Sequence, residues 1–480
     1  MRAPEYKTAV TVVYIAGLFI QILDATIVTV AIPSLAEEFQ VGVTDVEWVI
    51  IGYSLTLAAG IPAAGWFADR FGTKRVFLAA LAIFTVASAL CGASGSLEQL
   101  VAFRLLQGLG AGVIVPVGSA MLYRAYPMSE RATAANAVVS AVVIAPAVGP
   151  IVGGLIVETI SWRWIFFVNL PIGTFAFVLG LMWLREHTEP GAGAFDRWGF
   201  VLSTGGLALV VYALSIAPDM GWTAGATLLT GGAGLIAFVA LVVVELRIGQ
   251  PILDLRLLSG RLFRTINIVG VFMYAGFVSQ IFMLTLYLQR LRGYSALEAG
   301  LTQAPQAVGI FLFSNLVGKR LYHALGPRRM LALGTSIATV VTLAFALVSL
   351  DTPVALIGGM MLVRGVGMGA SFLPMQTAAF AQVSLADTAR ATSLFNAQRQ
   401  ASNAVGVAVA ATVLAAMAPS VGLGPESGSE GLDAFRAAFL ACGLMFLPAV
   451  FVALKVRDED AAETLESPPP SRAGEREQSR

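Results

Sequence analysis

The sequence predicts an all-α integral membrane protein with fourteen transmembrane helices, arranged as two six-helix bundles with two further helices inserted between them. Three observations carry this expectation. Of 480 residues, 57% are hydrophobic and only 12% charged, where a soluble globular domain has roughly 25% charged and about 45–50% apolar residues. The charges gather in clusters, and between them runs of about 20 apolar residues repeat from end to end, the length a helix needs to cross a bilayer. A charged loop followed by an intramembrane arginine in a glycine-rich helix also occurs twice, once in each half of the chain. This pattern excludes a coiled coil, a disordered chain and a soluble two-domain enzyme. A net charge of +1 without a basic tract gives no support to nucleic-acid binding.

Lipid cannot hydrogen-bond a backbone, so each span is expected to be a helix; the alternating pattern of a barrel is absent. The spans fall at about 8–33, 44–67, 76–95, 97–122, 133–158 and 161–184, then 198–217 and 225–247. The remaining six fall at about 261–289, 296–318, 328–350, 353–382, 387–416 and 433–456. The implied units are an N-terminal six-helix bundle over 1–190, two inserted helices over 191–255, a C-terminal six-helix bundle over 256–456 and a disordered cytoplasmic tail over 457–480. The first apolar run continues to Pro33 without a cleavage-like site, which reads as a retained helix. Cys91 and Cys442 both lie in apolar stretches, where neither a disulfide framework nor a metal cluster is expected.

Orientation follows from Lys and Arg placement. With both termini in the cytoplasm, 23 basic residues face inward and four (Arg163, Arg290, Arg292 and Arg436) outward, with three left inside the membrane. An odd number of spans would destroy this alternation. The Gly-, Pro- and Ser-containing loop from Met417 to Gly431 is expected outside and mobile, and the tail with Pro468-Pro469-Pro470 is expected to be disordered.

The repeat is explicit in the residues. Gly65-Trp66-Phe67-Ala68-Asp69-Arg70-Phe71-Gly72-Thr73-Lys74-Arg75 joins spans 2 and 3, and a weaker copy, Leu321-Tyr322-His323-Ala324-Leu325-Gly326-Pro327-Arg328-Arg329, joins spans 10 and 11. Arg104-Leu105-Leu106-Gln107-Gly108-Leu109-Gly110 follows the first, and Arg364-Gly365-Val366-Gly367-Met368-Gly369 the second. Two six-helix halves related in this way are a secondary-transporter signature, with the substrate path at their interface near mid-bilayer.

These motifs resemble the major facilitator superfamily, specifically the fourteen-helix drug:proton antiporters of the EmrB/QacA type. Leu23 to Pro33 resembles the family's first-helix motif, with Thr29 where Asn is usual. Gly65 to Arg75 is similar to its loop motif and Arg104 to Gly112 to its fourth-helix motif. Gly149-Pro150-Ile151-Val152-Gly153-Gly154 resembles the fifth-helix antiporter motif, with Ser140 where an upstream glycine is often found. Trp162 to Pro171 is close to a segment typical of fourteen-helix members, and Tyr287-Leu288-Gln289 with Gly293-Tyr294-Ser295 adds a match in the second half. The second-half loop departs from the pattern, with His323 and Ala324 where an Asp-Arg pair is common.

Asp24 is the one acidic residue well inside a span, roughly 25 Å from the inner face at 1.5 Å per residue. Burial and a nearby cation pull such a carboxyl in opposite directions, the poise a proton carrier needs. Arg104 enters its span from the outer face and lies roughly 10 Å down, at a similar depth, so that the two can pair. The resemblance assigns proton coupling to Arg104; bracing of helices is the alternative. Arg364 and Arg399 fall near the midplane with no acid in their spans, either bonding carbonyls and amides or lining the cavity. Gln21, Gln107, Gln280, Met283 and Asn396, with Tyr53, Met375 and Gln376, are polar or adaptable residues suited to a promiscuous pocket wall. Gly149 and Pro150 are expected to kink the fifth span, and Gly153 and Gly154 to allow close helix approach. Asp69, Arg70, Gly72 and Arg75 are assigned to gating, with Asp69 accepting from a helix N-terminus.

An enzyme would need a constellation of His, Cys or carboxylates at one depth, yet the two histidines, His187 and His323, both fall in inward loops. No Gly-Lys-Ser/Thr phosphate loop is present. A sensor or scaffold would carry an extra soluble domain. The expectation is therefore proton-coupled efflux of lipophilic small molecules by alternating access; the alternative is a related exporter of a dedicated lipid, siderophore or biosynthetic product. No cofactor is expected beyond the proton as coupling ion. The expected partners are lipophilic substrates and membrane lipids, with no nucleic acid, for a monomer in the plasma (inner) membrane of a bacterium.

Overall fold

With no water in a bilayer to satisfy the backbone, apolar runs of this length have the helix as their internally hydrogen-bonded state. The described residues contain helices and no strand. The structure, a computed structural model, describes residues 5–46, 48–127, 130–189, 193–221, 224–249, 251–417 and 427–465. The long helices are α1 (Tyr6–Ile27), α2 (Trp48–Phe71), α3 (Thr73–Gly92), α4 (Leu97–Ala125), α5 (Arg131–Thr159) and α6 (Asn169–Trp183). They continue as α7 (Arg197–Met220), α8 (Gly225–Arg247), α9 (Arg261–Leu286), α10 (Ala296–Leu312), α11 (Lys319–Ala344), α12 (Val354–Ala379), α13 (Thr388–Met417) and α14 (Gly428–Ala453).

Among the described residues, eleven helical stretches are long and apolar enough to cross a membrane. Three of the expected spans are not among them. The apolar stretch found in α5 is Thr133–Val142 and that in α7 is Arg197–Ala213. The third, α10, has 17 residues before it passes into a π-helical turn at Phe313–Gly318. The outer surfaces are apolar, as lipid requires: on α8, Leu229 is 75% and Ile236 71% exposed.

The helix pairings repeat. In the first half α4 packs on α2 and α3, while α1 packs on α5 and α6. In the second, α12 packs on α10 and α11, while α9 packs on α13 and α14. Contacts between the halves follow the same symmetry: α2 meets α13 as α10 meets α5, and α4 meets α13 as α12 meets α5. Helices α7 and α8 form a hairpin, with α7 lying against α2 and α13.

The glycine-rich motifs explain why these pairings recur. Residues two apart on a helix point about 200° apart, so alternate glycines address different neighbours, whereas residues four apart share a face. A Cβ on Gly108 or Gly112 would come within 2.4 Å of Tyr53 O or 2.2 Å of Leu57 O on α2. One on Gly110 would lie 2.7 Å from Ala80 O on α3. On α12, Gly365 stands against α10 (2.2 Å from Gln306 O) and Gly367 against α11 (2.9 Å from Gly334 O). The backbones touch because no side chain separates them, which is how helices pack where lipid removes the hydrophobic drive.

Both halves also close their second loop in one way. Gly72 has φ +99°, and Glu186, just beyond α6, accepts from the Lys74 and Arg75 amides at 3.0 and 3.2 Å. Gly326 has φ +74°, and Asp458, just beyond α14, accepts from the Arg328 amide at 2.8 Å. This corrects the expectation of disorder from residue 457 onward. Asp458–Ala461 and Ala462–Leu465 are helical turns held against α11, where Tyr322 Oη lies 2.7 Å from Thr464 Oγ1 and His323 Nδ1 3.1 Å from Leu465 O. His323 is thus a tail contact. The proline run at 468–470 and most of the loop expected to be mobile lie outside the described residues.

Gly112→Val and Gly365→Val are expected to lose about 1–3 kcal/mol or more each by forcing packed backbones apart. Gly154→Ala is expected to be neutral, since a Cβ there meets nothing within 4 Å. Thermal unfolding of the purified protein in detergent checks all three.

Candidate functional site

The chain reverses direction between α1 and α4, so a residue late on α1 and one early on α4 share a depth. Asp24 lies three residues before the end of α1 and Arg104 on the second turn of α4. Both are buried, at 0% and 1% exposure. Arg104 Nη1 donates to Asp24 Oδ2 at 2.5 Å and to Gln107 Oε1 at 2.7 Å, while its Nε donates to Val49 O at 3.1 Å. The other carboxylate oxygen, Oδ1, accepts from Gln107 Nε2 and Asn169 Nδ2, each at 2.8 Å. Asn169 also donates to Ser88 Oγ at 3.1 Å, and Ser88 donates to Phe166 O at 2.8 Å. Tyr53 roofs the cluster, with the Arg104 guanidinium carbon 4.0 Å from its ring centroid.

Asp24 is therefore held as a carboxylate by three side-chain donors from α4 and α6, inside a shell of buried residues. Charge-assisted bonds of this kind are short and strong, and a buried pair that loses one partner exposes an uncompensated charge at a cost of about 3–5 kcal/mol. Pairing of Asp24 with Arg104 follows the sequence. Gln107, expected in a cavity wall, instead bridges the pair. Asn169 and Ser88 were not singled out. The available signal for Asn169 was an amide opening an apolar helix within the Trp162–Pro171 segment.

The fifth-helix glycines lie beside this cluster. A Cβ on Gly149 would reach 2.2 Å from Thr26 Oγ1, and one on Gly153 2.7 Å from Ile27 Cγ1, so α5 rests on α1 two and three residues beyond Asp24. Helix α5 runs through Pro150 from Arg131 to Thr159; the Pro150 side chain lies outside the described residues.

In the second half Arg364 lies three residues further along α12 than Arg104 lies along α4, immediately before the first glycine of its run, without an acid. It donates from Nε to Thr342 Oγ1 at 3.0 Å, from Nη1 to Gln306 Oε1, and from Nη2 to the Gly276 and Phe277 carbonyls at 3.4 and 3.3 Å. With zero exposure it braces α9, α10, α11 and α12 rather than lining an open cavity. Three other expected cavity residues are also enclosed: Gln280 and Met283 at 0% exposure and Asn396 at 3%. Asn396 donates to Thr392 O at 2.7 Å, whereas both amide atoms of Gln280 lack a hydrogen-bond partner among the described residues. Gln21 is half-buried and its carbonyl accepts from Tyr53 Oη at 3.4 Å. Arg399 is half-buried on α13, its guanidinium carbon 6.0 Å from the Tyr274 ring centroid.

One face of the molecule, rich in Lys and Arg, carries a set of contacts between the halves. Asp69, at the end of α2, sits between Arg124 Nη2 (3.6 Å) and Arg390 Nε (3.8 Å), the latter on α13. This corrects its expected role at a helix N-terminus: Glu186 serves the start of α3, and Asp69 bridges the halves. Asn136 Nδ2 donates to Asn315 Oδ1 at 2.9 Å, Thr392 Oγ1 to Pro116 O at 3.0 Å, Arg124 Nε to Leu385 O at 3.1 Å, and Arg131 to Phe380 O. Arg70 and Arg75, both expected in gating, are exposed; Arg75 Nε lies 3.6 Å from Glu186.

Residues 14–407 match the Major Facilitator Superfamily. The chain is 31% identical to the uncharacterized MFS-type transporter YhcA of Bacillus subtilis, covering 84% of this chain and 75% of that one. It is 30% identical to a multidrug resistance protein B homolog of Mycobacterium tuberculosis (85% and 78% covered) and 33% identical to the putative multidrug resistance protein MdtD of Salmonella heidelberg (83% and 84%). The crystal structure of the human organic anion transporter MFSD10 shares the fold at TM-score 0.68 over 93% of this chain and 99% of that one, at 17% identity.

Asp24→Asn, Arg104→Gln and the double variant form a cycle. Each single change is expected to lower the unfolding free energy by about 3–5 kcal/mol, and the double by clearly less than their sum. Thermal unfolding in detergent reads the difference.

Proposed function

The chain belongs to the Major Facilitator Superfamily, a family of membrane transporters and not of enzymes, and from that premise we propose that it is a proton-driven exporter of lipophilic small molecules. The observation that carries this reading is the buried Asp24–Arg104 network, one acid and one base neutralising each other inside a membrane-spanning half. Such a carboxylate can exchange its arginine partner for a proton without leaving a net buried charge on the acid. Protonation of Asp24 weakens its hold on Arg104, Gln107 and Asn169 together, and so loosens α1 from α4 and α6. Gly149 and Gly153 place α5 directly on the end of α1, so that a shift there reaches a helix that contacts α10 and α12 of the other half.

The same reading takes all fourteen long helices as spans and the basic face as cytoplasmic, following the Lys and Arg bias. The contacts of Asp69, Asn136 and Thr392 then hold the cytoplasmic side shut, with the protein facing outward. A proton arriving from outside meets Asp24 in the outer half of the bilayer. Proton and substrate bias the same two-state equilibrium in opposite senses, which is the thermodynamic requirement for antiport. Support for drugs as the cargo comes from the multidrug resistance names of the relatives, and the ordered motifs favour the EmrB/QacA type in a bacterial inner membrane.

Two experiments test this. In everted vesicles holding an acid-inside gradient, addition of a transported dye is expected to release protons with the parent protein and not with Asp24→Asn; undiminished release with the variant would overturn the assignment. Paired Asn136→Cys and Asn315→Cys substitutions are expected to cross-link under mild oxidation and to stop transport, with recovery on reduction. Rapid transport by the cross-linked protein would show that this face need not open.

A further inference from the structure

Apart from Arg328 and Arg329 beside the Gly326 turn of α11 and Asp433 and Arg436 in the opening turns of α14, the described spans hold four ionised side chains away from their ends: Asp24, Arg104, Arg364 and Arg399. Asp24 and Arg104 cancel each other at 2.5 Å. Arg364 is fully enclosed, and its donors end on neutral oxygens of Thr342, Gln306, Gly276 and Phe277. Arg399 differs from the other three. It is half-buried, and among the described residues no carboxylate forms a salt bridge with it.

Its surroundings locate the space it faces. The Arg399 guanidinium carbon lies 6.0 Å from the Tyr274 ring centroid on α9, and Arg399 is near enough to Tyr14 on α1 to act on it electrostatically. Tyr14 Oη is in turn 2.7 Å from Ser119 Oγ on α4. Those tyrosines are 0% and 6% exposed and belong to opposite halves. Half-buried between residues of the two bundles, Arg399 is placed at the seam between them. Tyr274 continues into an aromatic wall, with ring centroids 5.7 Å from Phe372 and 6.3 Å from Phe395, and Phe372 is 5.3 Å from Phe277. A guanidinium beside such a wall matches an aromatic or apolar body bearing a carboxylate or sulfonate: the planar fork binds the oxyanion and the rings take the body.

We propose that Arg399 is a specificity-determining residue and that the exported substrates are lipophilic anions. This rests on the export reading above and narrows it. A cation in low dielectric without a counter-ion is unfavourable and is relieved by an anionic ligand; a cationic ligand meets repulsion at the same point, so the residue selects by rejection as well as by attraction. The charge balance has a consequence. One proton in and one monovalent anion out moves two positive charges inward per cycle, so an inside-negative potential accelerates export, whereas exchange of one proton for one monocation is electroneutral.

The test uses three probes of one shape, pyrenebutyrate, its methyl ester and a pyrenebutyl-trimethylammonium ion, with the full-length parent, Arg399→Gln and Arg399→Lys. Equilibrium binding to the purified proteins is expected to favour the carboxylate at least tenfold over both other probes in the parent, to show no such preference in Arg399→Gln, and to retain part of it in Arg399→Lys. Proteoliposomes with a potassium diffusion potential are expected to show faster pyrenebutyrate movement when the potential favours inward positive charge. Equal or tighter binding of the ammonium probe by the parent, or an anion preference that survives in Arg399→Gln, overturns the inference. Proton-driven transport of the ester without any anion preference overturns it while the export reading stands. Absence of proton-driven movement of every probe sinks the export reading, and the binding ratio still decides the role of Arg399.

Discussion

A single ionised carboxylate buried among helices governs the first half of this molecule. Asp24 has no access to water, so each of its oxygens must be met by a donor, and the donors come from different helices: Arg104 and Gln107 on α4 and Asn169 at the start of α6. That requirement fixes the relative rotation of α1, α4 and α6 about their axes, because a rotation that removed one donor would expose a charge to low dielectric. It also makes the arrangement responsive. The donors are aimed at an ionised group, and neutralising that group weakens several contacts at once, which greasy packing alone would not permit.

The second half uses the same scaffold for a different electrostatic purpose. Its arginine stands three residues further along the matching helix and is satisfied by carbonyls, an amide and a hydroxyl, an arrangement that braces without offering a proton site. Glycines carry the resemblance between the halves: on α4 and α12 alternate glycines press against two neighbours in the same order. Where lipid solvates apolar side chains as well as protein does, close backbone contact is one of the few ways to specify which helices pair. The loop clamps repeat too, with an acid just past the last helix of each half closing over a glycine of positive φ. Stability and symmetry thus come from small residues, whereas the buried acid–base pair belongs to the first half.

The contacts joining the halves are of another character. Asp69 with Arg124 and Arg390, and Asn136 with Asn315, are polar and lie on one face, beside apolar packing such as Tyr123 on Phe380. The inserted α7–α8 hairpin lies against α2 and α13, one helix from each half, and so spans that seam from the side.

Much of this was legible in the residues. Helical spans, the twofold repeat and the pairing of Asp24 with Arg104 follow from length, charge position and depth counting, since a bilayer leaves a chain few choices. Gln107 and Asn169 were not readable as partners of Asp24, because rotation about a helix axis is decided by neighbours and not by the local sequence. The same reason hid the true position of Asp69, which looked like a helix cap until Glu186 was seen to fill that place. It also hid the fate of the residues after Arg457, polar in composition yet anchored by Asp458 to a glycine more than a hundred positions away. The sequence by itself determined the membrane class and which charges would have to be buried. Tertiary structure alone decided which of those charges are cancelled, which is enclosed and which, Arg399, faces the space between the halves, because that depends on side chains brought together from helices distant in the chain.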